Sequence, residues 1–328
     1  STKPQGYYNG RQKLHGLPIT CLHYFRDHTK KRRELIATGC QDGSVRVWSG
    51  NISADHVNFK AVQTFSTHTG DEGLDDESLE EWEQTTKEKR LRKAKFRRED
   101  MLKEQQPPVT SLHSTASGYY LAAGFRNNEA LMWVVESAEV FARFRCDEST
   151  SDILCVQTFQ CDMKLLLATG NDSGVSIWGV RAGWRLNFLE HQAAVTSLRF
   201  LTDDKTKTCE SIQLVTGDEE GTVRLWASAG ELLLHAFSGH CRPVKSIFAV
   251  SEGMLGERAL LTSSADGSAK LWSIERKCVM ATLMGNKGGA SSAFAEQNDD
   301  GHWKVVVASR RGFLNVWDGT ALRSQLDE

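Results

Sequence analysis

His235, His240 and Cys241 fall within seven positions, and imidazole nitrogen with thiolate sulfur is the donor chemistry of a zinc site. An alternating strand explains the three more simply than a metal does. Gly285-Asn-Lys-Gly-Gly289 is rich in glycine but lacks P-loop spacing, and it reads as a connector. Arg126, Arg242 and Arg310 occupy turn positions, where a guanidinium can grip a phosphate with two parallel hydrogen bonds. Solvated turn arginines are the plainer alternative. P-loop, HExxH and GxSxG motifs are absent from the sequence, and no paired carboxylates stand in a context for general acid–base work. The expectation is a protein that is not an enzyme, with no cofactor, no metal and no small-molecule substrate.

Composition narrows the class. Forty lysines and arginines against 42 acids leave a net charge of −2, so no global field recruits nucleic acid or a membrane surface. No apolar run approaches the length of a membrane span. Eight cysteines are scattered without CxxC spacing, which argues for reduced thiols and an intracellular location, cytoplasmic or nuclear. The first residues, STKPQGYYNG, show neither a signal segment nor an initiator Met, so a processed or trimmed chain is expected.

Stepping along the chain, an apolar residue followed by Trp recurs at Val47-Trp48, Met132-Trp133, Ile177-Trp178, Leu225-Trp226, Leu271-Trp272 and Val316-Trp317. The intervals are 85, 45, 48, 46 and 45 residues. A period near 40–45 with strand-sized units is the signature of propeller blades. The fifth unit divides into four strand signals, at 244–250, 258–264, 268–274 and 278–283, separated by turn residues such as Asp266-Gly267.

These units resemble the blades of the WD-repeat β-propeller family across nearly the whole chain outside one insertion. The fold class expected is therefore all-β, a propeller of at least six four-stranded blades, with seven in a full-length protein as the alternative. The family's buried His–Ser/Thr–Asp–Trp network maps onto His15, Thr38, Asp42 and Trp48 in blade one. In blade four it maps onto His191, Thr216 and Trp226, with Glu220 where the Asp would stand. Blade five supplies His240, Thr262 or Ser264, Asp266 and Trp272. Blade three keeps Asp172 and Trp178, while blades two and six keep only Trp133 and Trp317. The indole packs between blades and donates its N–H to a buried partner, so these histidines read as structural.

The long first interval holds an insertion. Residues 71–83 carry eight acids and 87–98 eight bases. A capping box at Ser78–Glu81, favourable charge pairs four apart and the stop Pro107-Pro108 predict a largely helical element, ~40 Å long if continuous over 79–105. The domain reading is one propeller over residues 1–328 with a charged insertion at 70–106. Lys93, Lys95, Arg97 and Arg98 make its basic half a docking element for a protein partner or for RNA, against the blander reading of a solvated segment.

The resemblance implies an interaction scaffold, a subunit of a larger complex that binds protein partners through its loop face and insertion. It also places Arg126, Arg242 and Arg310 on that partner face. The alternatives are a substrate receptor of a ubiquitin ligase, of F-box-like or cullin-4 type, and a subunit of an RNA–protein particle. Residues 12–16 read as an outer strand whose blade is missing, and residues 320–325 as a second candidate outer strand. Trimmed sequence or a donated blade is the expectation, ahead of a closed six-bladed ring.

Overall fold

The computed structural model describes residues 17–27, 33–52, 57–65, 106–146, 151–160, 164–201, 212–227, 232–250, 255–297 and 302–319. His15, the closing segments 12–16 and 320–325, and the insertion apart from Gln106 lie outside the described residues, and with it Lys93, Lys95, Arg97 and Arg98. Blade one is β1 (Ile19–Arg26), β2 (Glu34–Cys40), β3 (Val45–Ile52) and β4 (Val57–Phe65). Blade two is β5 (Val109–Ser114), β6 (Tyr120–Phe125), β7 (Glu129–Val134) and β8 (Val140–Arg145). Blade three is β9 (Cys155–Gln160), β10 (Leu165–Gly170), β11 (Gly174–Gly179) and β12 (Trp184–Glu190). Blade four is β13 (Val195–Leu201), β14 (Gln213–Asp218), β15 (Val223–Ala227) and β16 (Leu232–Phe237). Blade five is β17 (Val244–Val250), β18 (Ala259–Ser264), β19 (Ala269–Ser273) and β20 (Cys278–Leu283). Among the described residues the sixth sheet has three strands, β21 (Ala290–Gln297), β22 (Trp303–Ser309) and β23 (Leu314–Asp318).

Each sheet is an antiparallel meander, and its turns follow from local sequence. Gly43 and Gly267 sit at φ 79° and 90° in the turns between second and third strands. A Cβ on Gly43 would also stand 2.4 Å from that of Gln106. All six repeated tryptophans lie on third strands. In the five four-stranded blades the pairing of third and fourth strands slips one register at the indole, between Val47 and Trp48 and at the matching points of the others. A bulge there re-aims the large ring into the space between sheets.

The cores therefore lie between blades, not within them. One cluster joins Phe25, Val47 and Phe65 of blade one to Leu112, Leu121 and Trp133 of blade two. Four more repeat the arrangement down to the cluster of Leu271, Trp303 and Val305 between blades five and six. The inner strands β1, β5, β9, β13, β17 and β21 pack side by side in that order.

The two end faces break the pattern. Val45, Ala130, Val175, Val223 and Ala269 share one third-strand position and are all 0 % exposed, whereas Leu314 at that position in blade six is 69 % exposed. On inner strands, Leu112, Leu198 and Ile247 are 7, 9 and 8 % exposed, and their counterpart Leu22 in blade one is 63 % exposed. Both end faces carry interior-type residues that, among the described residues, have no blade beside them. No described helix is long and apolar enough to cross a membrane.

Candidate interaction face

The chemistry-bearing residues of blade five are taken up by its frame. Trp272 Nε1 donates to Thr262 Oγ1 at 2.8 Å, and His240 Nε2 lies 2.8 Å from the same oxygen. His240 Nδ1 is 3.0 Å from Asp266 Oδ2, so the ring holds its proton on Nδ1 and accepts from Thr262 through Nε2. Burial pushes the His240 pKa down more strongly than the neighbouring carboxylate raises it, and the imidazole is neutral at pH 7. Burial alone would raise the Asp266 pKa. Hydrogen bonds from the Ser268 side chain and backbone and from Cys241 N outweigh that, and the pKa is lowered. Thr262 rather than Ser264 is thus the residue joined to Trp272. Ser264 Oγ instead donates to Arg242 O and receives Asp266 N–H, fixing the turn.

Blade four corrects one expectation. His191 Nε2 and Trp226 Nε1 meet Thr216 Oγ1 at 2.8 and 3.1 Å, but Glu220 is exposed and takes no part through its side chain. Asp218, two residues earlier, is the buried acid: its Oδ1 accepts the N–H groups of Glu220 and Thr222, and its Oδ2 pairs with Arg224. In blade one Trp48 donates to Thr38 at 2.8 Å, and Asp42 accepts from the Ser44 amide and hydroxyl. In blade three Trp178 donates to Thr169 at 3.0 Å, and Asn171, not the exposed Asp172, accepts from the turn. His235 packs edge-on against Phe237, while Cys241 is exposed. Among the described residues no three metal-type side chains gather.

A seam missed by sequence reasoning joins the inner strands. Ser114 N–H donates to His23 Nε2 at 3.0 Å, Thr158 N–H to His113 Nδ1 at 3.2 Å, and Phe200 N–H to Gln157 Oε1 at 2.8 Å. Pairing with Ala37, Ala122 and Ala168 shows that His23, His113 and Gln157 share one inner-strand position. Each supplies an acceptor to the next blade. The signal in the sequence is an acceptor side chain at one register position, four residues into β1 and β5 but two into β9, and it shows only once the register is known.

The loops left over from this frame form the exposed face. In every blade but the third, the residue just past the second strand bonds back to the residue before the inner strand: Gln41 N to Pro18 O, Arg126 N to Pro108 O, Glu219 N to Ala194 O, Ala265 N to Pro243 O and Arg310 N to Gly289 O. Arg126, Arg242 and Arg310 therefore lie at the same end of the blades, all exposed, but are spread over blades two, five and six. Arg126 Nε stands 3.7 Å from Asp152 Oδ2. Between blades one, two and three this face opens into a hollow of about 490 Å³ lined by Thr20, Gln41, Thr110, Arg126, Asp152 and Leu154 among others.

A family model described as "WD domain, G-beta repeat" matches residues 9–49, 184–227 and 231–273. The chain is similar to telomerase protein component 1 of Mus musculus, 25 % identical over 298 residues covering 87 % of this chain and 9 % of that protein. It is 21 % identical to the SIR4-interacting protein SIF2 of Saccharomyces cerevisiae over 238 residues, 69 % of this chain and 42 % of SIF2. The chain thus spans less than half the length of either relative. Among solved structures, U3-55K superposes with a TM-score of 0.65 at 21 % identity, covering 95 % of this chain and 80 % of that one, a likeness of fold.

Proposed function

The chain belongs to the WD-repeat β-propeller family, and on that premise we propose that it is a non-catalytic interaction scaffold, a subunit of a larger complex that binds protein partners through its loop face. The observation that carries this is the 490 Å³ hollow at that face, which the exposed Arg126 and the half-buried Asp152 rim with both charges. The histidines and threonines of the interior are committed to holding blades, so the recognition surface is what the loops add. Two relatives bear names that point the same way, one a component of telomerase and the other a protein that interacts with SIR4.

The test is quantitative co-purification from cells with Arg126→Glu on the loop face and Glu139→Lys at the opposite end of blade two. Arg126→Glu should lose at least one partner that the wild type and Glu139→Lys retain, with unchanged thermal melting. Equal recovery of every partner by all three proteins refutes the assignment of this face.

A further inference from the structure

The inner-strand position that carries His23, His113 and Gln157 in blades one to three carries Arg199 in blade four and Phe248 in blade five, as their pairing with Val215 and Leu261 shows. The first three side chains each accept a backbone N–H from the next blade. A guanidinium has donors only, so Arg199 cannot do that work. It lies instead over the Phe248 ring, 6.0 Å from its centre, with Nε buried and, among the described residues, without a hydrogen-bond partner. Burial lowers its pKa, as expected of a cation taken out of water, and no ion pair to it forms among the described residues.

Two histidines at the same register position also carry donors. A backbone N–H can only donate, so His23 Nε2 and His113 Nδ1 are acceptors and the neutral rings hold their protons on His23 Nδ1 and His113 Nε2. The two imidazoles stand 4.8 Å apart. His23, His113 and Arg199 hold one register position on inner strands that pack side by side around the ring; burial comes first in lowering both histidine pKa values, and the charge of Arg199 contributes to each.

We propose that Arg199, His23 and His113 form a binding site for an oxyanion at the inner-strand ring. The ligand is a free ion or the carboxylate of an acidic side chain presented to the ring. The planar guanidinium suits the paired oxygens of a phosphate or carboxylate, and the imidazole N–H groups add neutral donors without adding charge. One cation facing neutral donors matches a ligand of low negative charge. This site does not depend on the loop face carrying partners.

Calorimetry and thermal melting of the whole chain test it, at fixed ionic strength with chloride as the baseline. The probes are inorganic phosphate and the capped peptide Gly-Gly-Glu-Gly-Gly, with its Gln counterpart as control. At least one probe should bind saturably to the wild type and raise its Tm. Arg199→Gln, which places in blade four the residue type that blade three already uses, should weaken that binding at least about tenfold. Its Tm in chloride should match or exceed that of the wild type, because the uncompensated cation is gone. Arg199→Met serves as the second variant should the first not fold. A phosphate response alone identifies a free ion, and a response to the Glu peptide alone identifies a side-chain ligand. Absence of both responses in the wild type, or equal affinity in either folded variant, overturns the proposal.

Discussion

Thr262→Val tests whether the tryptophans are held by hydroxyls or only by packing. Thr262 is 0 % exposed, accepts the Trp272 N–H and donates to His240 Nε2, whose other nitrogen is committed to Asp266. Valine fills the same volume, so the change strands two buried groups without opening a cavity. Each stranded group costs about 1–3 kcal/mol, which gives a loss of about 2–6 kcal/mol. Thr169→Val in blade three is the internal control. Its hydroxyl receives Trp178 N–H at 3.0 Å, and blade three has no histidine at that site, so one group is stranded and the loss should be about 1–3 kcal/mol. Urea unfolding followed by fluorescence supplies the stabilities. Indole N–H exchange by NMR supplies a local reading, because blades can open separately. A loss in Thr169→Val equal to or greater than that in Thr262→Val refutes the reasoning. So does strict additivity of Thr262→Val with His240→Ala, since residues sharing a hydrogen bond should couple.

Two further outcomes follow from burial. Leu112→Ala should cost about 2–5 kcal/mol as a core truncation, whereas Leu22→Ala at the same inner-strand position should stay within about 0.5 kcal/mol; equal losses in urea unfolding would show that the back face of blade one is covered in solution. His23 has a pKa lowered by burial, and secondarily by Arg199, from 6.5 to about 4. The unfolded chain therefore binds more protons between these values, so the stability from the neutral ring is full above pH 6.5 and is lost as pH falls toward 4, by about 3 kcal/mol. His23→Gln keeps an acceptor for Ser114 N–H and should flatten the stability profile over that window. The flattening is partial, because His113 beside it is also held neutral; an unchanged slope in His23→Gln would refute the assignment.

How much of this could be read beforehand depended on whether a residue's role is fixed by its own strand. The tryptophans were legible because every third strand needs one indole after an apolar residue, a rule with a period. Thr38, Thr216, Asp266 and His240 followed from the same counting. Glu220 did not, because counting six residues back from Trp226 assumes one turn geometry, and in blade four the buried carboxylate is Asp218 at the end of the second strand. The inner seam was invisible for a different reason. His23, His113 and Gln157 share a task, not a residue type, and only the strand register lines them up. Arg199 breaks that task and in sequence looks like any charge on an alternating strand. The period reports how many blades are written, but says little about the ends. A blade's onward face is specified by residues such as Leu314 and its back face by residues such as Leu22, and each is satisfied only by a neighbour encoded elsewhere. Their exposure follows from the same physics that buries their counterparts in the other blades, applied where that neighbour is not among the described residues.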